Sequence, residues 1–86
     1  MTPMYRAKVY ITLKKSVMDP QGETIRHALQ SLGFGGVERV RMGKFLEVDL
    51  SDAERGAAER RVDDMCGKLL SNPVIERYQF ELEELK

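Results

Sequence analysis

Few residues of this 86-residue chain are of kinds that do chemistry. There is one histidine, His27, and one cysteine, Cys66, so neither can build a zinc site with its own kind. His27 lies off the apolar stripe of the first predicted helix and reads as a surface residue. Cys66 falls on the inner side of the second, where a free thiol behaves as a small hydrophobe rather than a nucleophile. Asp63-Asp64 offers a carboxylate pair for acid–base work, but helical spacing turns it outward to solvent. The run from Gly36 to Gly43-Lys44 faintly resembles a phosphate-binding loop; however, no Ser or Thr follows Lys44, and a strand pattern stands where a helix is required. Gly33-Phe34-Gly35-Gly36 ends a helix instead of opening one, which rules out a dinucleotide fingerprint. Lys14-Lys15, at the mouth of the first helix, could meet an anion, although two lysines at a strand end are commonplace. No catalytic residue, metal ligand or cofactor-binding residue is assigned.

These residues must be held by a regular framework. Residues 5–14 alternate, with Tyr5, Ala7, Val9, Ile11 and Leu13 on one face and Arg6, Lys8, Tyr10, Thr12 and Lys14 on the other, the mark of a half-buried strand. Asp19 caps a helix over 20–32, Pro20 takes its first position and Gly33 stops it. Ile25, Ala28, Leu29 and Leu32 form the helix stripe. Gly22 lies near that stripe and lets the helix start approach the sheet. Residues 37–42 and 44–50 read as a hairpin around Gly43 at positive φ, with Arg39 opposite Glu47. Ser51-Asp52-Ala53-Glu54 is a capping box. It opens a helix to about Leu70 with Ala58, Val62, Met65, Cys66 and Leu69 on its stripe. Gly56 and Gly67 lie on the opposite face, each costing about 1 kcal/mol against alanine; that smoothness is either tolerated weakness or a seat for a partner. Asn72-Pro73 ends the helix. Residues 74–82 form the last strand, and 83–86 a frayed tail.

The order β-α-β-β-α-β predicts an α+β fold of ferredoxin-like type, with an antiparallel four-stranded sheet and both helices on one face. Residues 1–86 form one domain. Tyr10, Phe45 and Ile75 stand among charges on the helix-free face and suggest contact with another protein surface. Fourteen basic and fourteen acidic residues cancel, so no overall field draws nucleic acid or an anionic membrane. A single cysteine fits a reducing, cytoplasmic setting. No apolar run approaches the roughly 20 residues that span a bilayer. A core this small buries about 60–65 % of the unfolded surface, which favours self-association.

Several stretches together resemble one family. They are Val9-Tyr10-Ile11-Thr12-Leu13-Lys14, Val17-Met18-Asp19-Pro20-Gln21-Gly22, Val40-Arg41-Met42-Gly43-Lys44 and Leu69-Leu70-Ser71-Asn72-Pro73-Val74-Ile75-Glu76. The chain is similar to the PurS subunits of phosphoribosylformylglycinamidine synthase over nearly its whole length. Met18 replaces an expected leucine and Ser71 an expected alanine. The resemblance implies a small, non-catalytic subunit of a ligase in de novo purine synthesis, a dimer or tetramer. It would bridge a PurQ glutaminase, the ammonia source, and a PurL synthetase, which uses ATP and Mg; this chain would bind no cofactor. The elaborate turn Asp19-Pro20-Gln21-Gly22 and the tip Met42-Gly43-Lys44 then put Gln21 and Lys44 forward as partner contacts, beside Tyr10, Phe45 and Ile75. The alternative is a free-standing ferredoxin-like regulatory domain that binds a metabolite. An acylphosphatase-like enzyme shares the strand order but needs an arginine in the first strand–helix turn, where this chain carries lysines and proline.

Overall fold

In the computed structural model, which describes residues 2–85, the alternating run becomes the central strand β1, Met4–Leu13. Its inward side chains Ala7, Val9 and Ile11 are fully buried and Tyr5 nearly so. The order continues with α1 (Pro20–Ser31), β2 (Gly43–Ser51), α2 (Arg55–Met65), a π-helical turn (Cys66–Leu70) and β3 (Glu76–Leu85). The sheet is three-stranded in the order β2-β1-β3, and β1 is antiparallel to both neighbours. Val9 lies between Leu46 and Phe80, and Ala7 between Val48 and Leu82. One face therefore collects the apolar side chains of all three strands. Ala58, Val62 and Cys66 of the second helix close it, each with no exposed surface.

The α+β class stands, but the expected four-stranded ferredoxin-like sheet gives way to this three-stranded one. Residues 37–42 form no strand, so the hairpin around Gly43 and the Arg39–Glu47 pair are absent. Gly43 instead opens β2 opposite Thr12. Its φ is not positive; a Cβ there would stand 2.6 Å from the Ile11 carbonyl, so glycine serves strand approach. The single positive φ among the described residues is that of Gly33, at the end of α1 as expected.

Topology explains why the helices differ. Strands β1 and β2 are antiparallel neighbours, so their connection leaves and returns at one end of the sheet. Strands β2 and β3 run parallel with β1 between them, so their connection must cross the sheet face. α2 makes that crossing. α1 projects instead: its only buried residue is Gly22, while Ile25 is 38 % and Leu32 74 % exposed. The expectation that both helices cover the sheet is thus corrected. The molecule measures 54 × 29 × 14 Å with a radius of gyration of 16.9 Å, against about 12 Å for a compact chain of this length.

Three further expectations change. Ser51 stays in β2 because Asp52 N–H donates to the Pro3 carbonyl, so the capping box does not form and Glu54 becomes a cap without a side-chain bond. The second helix does reach Leu70, but through a wide π turn in which Ser71 N–H donates to the Cys66 carbonyl at 3.0 Å. The extra residue shifts the phase, so Leu70 packs on the core while Leu69 is 83 % exposed. The stretch expected to fray pairs with β1 as far as Leu85, and Val74 and Ile75 precede the strand. Lys86 lies outside the described residues.

Candidate functional site

The junction of β1 with α1 is the most elaborately bonded part of the surface. Asp19, buried at 7 % exposure, accepts from Gly22 N–H at 2.9 Å and from Met42 N–H at 2.7 Å. Its carboxylate thus caps α1 and also ties the returning segment 37–42 to the start of the helix. These two backbone donors, Gly22 first, hold the Asp19 carboxyl below the usual carboxylate range. Gly22 is pressed against the Val40 carbonyl, where a Cβ would collide. Arg41 donates to the carbonyls of Leu13 and Lys14 at 2.9 and 3.0 Å. Backbone-directed bonds therefore fix the angle at which α1 leaves the sheet. Further out, Gln30 Nε2 donates to the Val37 carbonyl at 3.1 Å and joins helix to return segment.

Two of the predicted contact residues meet here. Gln21 and Lys44 line one groove of about 240 Å³ together with Leu13, Met42, Gly43 and Glu76. Lys44 Nζ lies 3.5 Å from the Glu76 carboxylate. Tyr10 and Phe45 lie elsewhere, stacked on the helix-free face with ring centroids 5.2 Å apart. Around them that face is ion-paired, Arg6 to Asp49 at 2.8 Å and Lys8 to Glu83 at 3.9 Å. Ile75 leaves the face altogether; it sits in the turn before β3, where its carbonyl accepts from Lys14 N–H at 2.8 Å. The five residues thus form two groups and one outlier. Arg41, within the stretch 37–42 expected as a hairpin arm, holds the junction together. Its role has no sequence signal, because its acceptors are main-chain carbonyls distant in the chain.

Residues with reactive side chains are dispersed. Cys66 is fully buried, and burial, with Asp63 nearby, pushes its thiol up. Asp63 accepts from the Tyr78 hydroxyl at 2.7 Å, and that bond raises the phenol. Asp64 pairs with Lys68 at 3.0 Å, and His27 is exposed beside Glu23. Among the described residues no group of three His, Cys, Asp or Glu side chains could hold a metal ion. This surface can bind and align; its organisation lies in main-chain anchoring.

Comparison with known proteins gives a consistent match. The family model for PurS, phosphoribosylformylglycinamidine (FGAM) synthase, matches residues 6–84. The PurS subunit of phosphoribosylformylglycinamidine synthase from Bacillus subtilis is 46 % identical over 82 residues, covering 95 % of this chain and 96 % of the relative. The crystal structure of Methanocaldococcus jannaschii PurS, described as a subunit of formylglycinamide ribonucleotide amidotransferase in the purine biosynthetic pathway, superposes with a TM-score of 0.84 at 39 % identity, covering 95 % and 99 % of the two chains. A chain in the structure of PurLQS from Thermotoga maritima gives a TM-score of 0.84 at 31 % identity, with 96 % and 99 % covered.

Proposed function

The chain belongs to the PurS family, subunits of phosphoribosylformylglycinamidine synthase in purine biosynthesis, and from that footing we propose that it is the scaffold of the ligase. In this role it is a self-associating, non-catalytic subunit that bridges a PurQ glutaminase and a PurL synthetase. The observation that carries the proposal is full-length likeness to a chain of the PurLQS assembly. The physical need is clear. Ammonia released into water is protonated and lost as a nucleophile, so its source and its consumer must be aligned and shielded. A rigid spacer does this without reacting. ATP and Mg belong to the synthetase, and this chain holds no cofactor.

The projecting α1 supports self-association. Leu32 and Phe34 at its outer end are 74 % and 57 % exposed, and apolar surface of this kind marks interaction sites. No helix among the described residues is long and apolar enough to cross a membrane, which accords with a cytoplasmic assembly. Gln21 and Lys44, sharing one groove, are assigned as partner contacts, with Tyr10 and Phe45 as a second patch.

Reconstitution tests the proposal. Omitting this chain from a mixture of synthetase and glutaminase should abolish most glutamine-dependent turnover while leaving ammonium-supported turnover of the synthetase largely intact. His27→Ala in the assembled complex should leave turnover unchanged. Glutamine-dependent turnover that persists in full without the chain, or glutamine or ATP hydrolysis by the isolated chain, would sink the scaffold role.

A further inference from the structure

Most basic side chains of this electrically neutral chain are matched to a carboxylate, in ion pairs of 2.7 to 3.9 Å spread over the sheet and both helices. The exceptions among the described residues are concentrated. Lys14, Lys15, Arg39 and Arg41 have no carboxylate partner, and all four lie where β1 hands over to α1 and the return segment comes back. Arg77, bonded to the Thr12 hydroxyl at 3.4 Å, extends the group along the same end of the sheet. Lys15, Arg39 and Arg41 line a single groove of about 410 Å³ with Ser16, Met18 and Val40. The two carboxylates in that groove are already engaged. Asp19 accepts from the Gly22 and Met42 amides, and Glu23 pairs with Arg26 at 2.7 Å. Arg41 is fixed by the Leu13 and Lys14 carbonyls, whereas the Lys15 and Arg39 side chains make no hydrogen bond among the described residues.

We propose that this basic groove is the docking surface for an acidic segment of a partner subunit of the ligase, an inference that rests on the scaffold function above. Charge decides the partner's chemistry: a neutral or basic surface closing over Lys15 and Arg39 would desolvate two cations without compensation, whereas carboxylates would neutralise them and steer the encounter. The composition decides for a protein over a small anion. A phosphate pocket needs convergent, enclosed donors, and no buried side-chain donor among the described residues lacks a partner. Met18, 79 % exposed, stands among the cations; arginine and methionine together are characteristic of protein interfaces. The groove is also separate from the one that Gln21 and Lys44 line, on which only Asp19 is shared.

The test uses the full chain and both partner subunits with nucleotide present, and follows association at two salt concentrations. Wild-type affinity should fall about tenfold or more from low to high salt, because screening shortens to a few ångströms. The double variant Lys15→Glu, Arg39→Glu should bind about tenfold or more weakly at low salt and lose most of that salt response. Its melting temperature and self-association should match wild type. Lys15→Gln, Arg39→Gln should fall between the two. Unchanged affinity and salt response in the charge-reversed variant would overturn the inference and leave the scaffold intact. So would a changed oligomeric state of the variant alone, which would make a second copy the occupant. Saturable binding of inorganic phosphate by wild type but not the variant, with assembly unaffected, would overturn it in favour of a small-anion site. Failure of wild type to assemble at any salt would instead remove the scaffold function itself.

Discussion

The two helices of this chain are 12 and 11 residues long and each carries an apolar stripe, yet only the second covers the sheet. α2 buries Ala58 and Val62 completely, and the following π turn buries Cys66. α1 buries only Gly22 and is held at its base by the Asp19, Arg41 and Gly22 contacts. One region is therefore a core that stabilises itself, and the other is an anchored arm whose apolar side chains face outward. An amphipathic pattern states that a face is to be covered; it does not say by what. On the proposed scaffold role, the uncovered arm is where a partner or a further copy has surface to bury.

The difference is most directly broken by truncating one apolar residue in each region. Ile11→Ala removes a fully buried side chain and should cost about 2–5 kcal/mol in denaturant unfolding. Leu32→Ala should change the stability of the dilute chain by no more than about 0.5 kcal/mol, while lowering self-association measured by sedimentation. Equal costs at all concentrations would mean that α1 is packed within its own chain.

A second prediction sharpens the role of the anchor. The folded-state pKa of Asp19 is depressed by its two backbone donors. Its stabilisation is therefore fully present above the ordinary carboxylate value of about 4 and is lost as pH falls through the folded value. Wild type should exceed Asp19→Asn in melting temperature at neutral pH, and the gap should close on acidification. The protection of the Gly22 and Met42 amides against hydrogen exchange, relative to the intrinsic rate at each pH, should fall over the same interval. A gap that persists unchanged at pH 2 would show that Asp19 acts by packing alone.

The smallest effect on folding is expected at the shared groove. Lys44 makes only a surface ion pair with Glu76, a contribution of about 0–1 kcal/mol, and Gln21 is exposed. Gln21→Ala and Lys44→Ala should barely move the melting temperature and should weaken assembly with the partner subunits. Normal assembly of both variants, or loss of assembly in step with stability, would return these residues to a structural role and place the bridging surface elsewhere.

Local chemistry was legible at the first strand and first helix, where residues act on their near neighbours. Asp19 caps, Pro20 opens α1, Gly33 ends it with φ of 100°, and the alternation of β1 assigns its buried face. The PurS resemblance was legible too, since it rests on residue identities in order. The errors share a cause. Residues 37–42 have strand-like alternation but find no strand to pair with, because β1 is flanked by β2 and β3. Leu69 has the right spacing for an α-helix but not for a π turn. Gln21 and Lys44 lie far apart in the chain, and only folding puts them in one groove.

What the amino-acid order determined by itself is the two helices, three of the four expected strands, the buried face of β1, and the family to which the chain belongs. The tertiary structure alone decided that α2 crosses the sheet while α1 leaves it, and that Lys15, Arg39 and Arg41 share a groove without carboxylate partners. The physical reason is the range of the interactions. Periods of 2 and 3.6 residues and capping bonds are set within a few residues, whereas strand direction and the meeting of distant charges depend on how the whole backbone satisfies its hydrogen bonds.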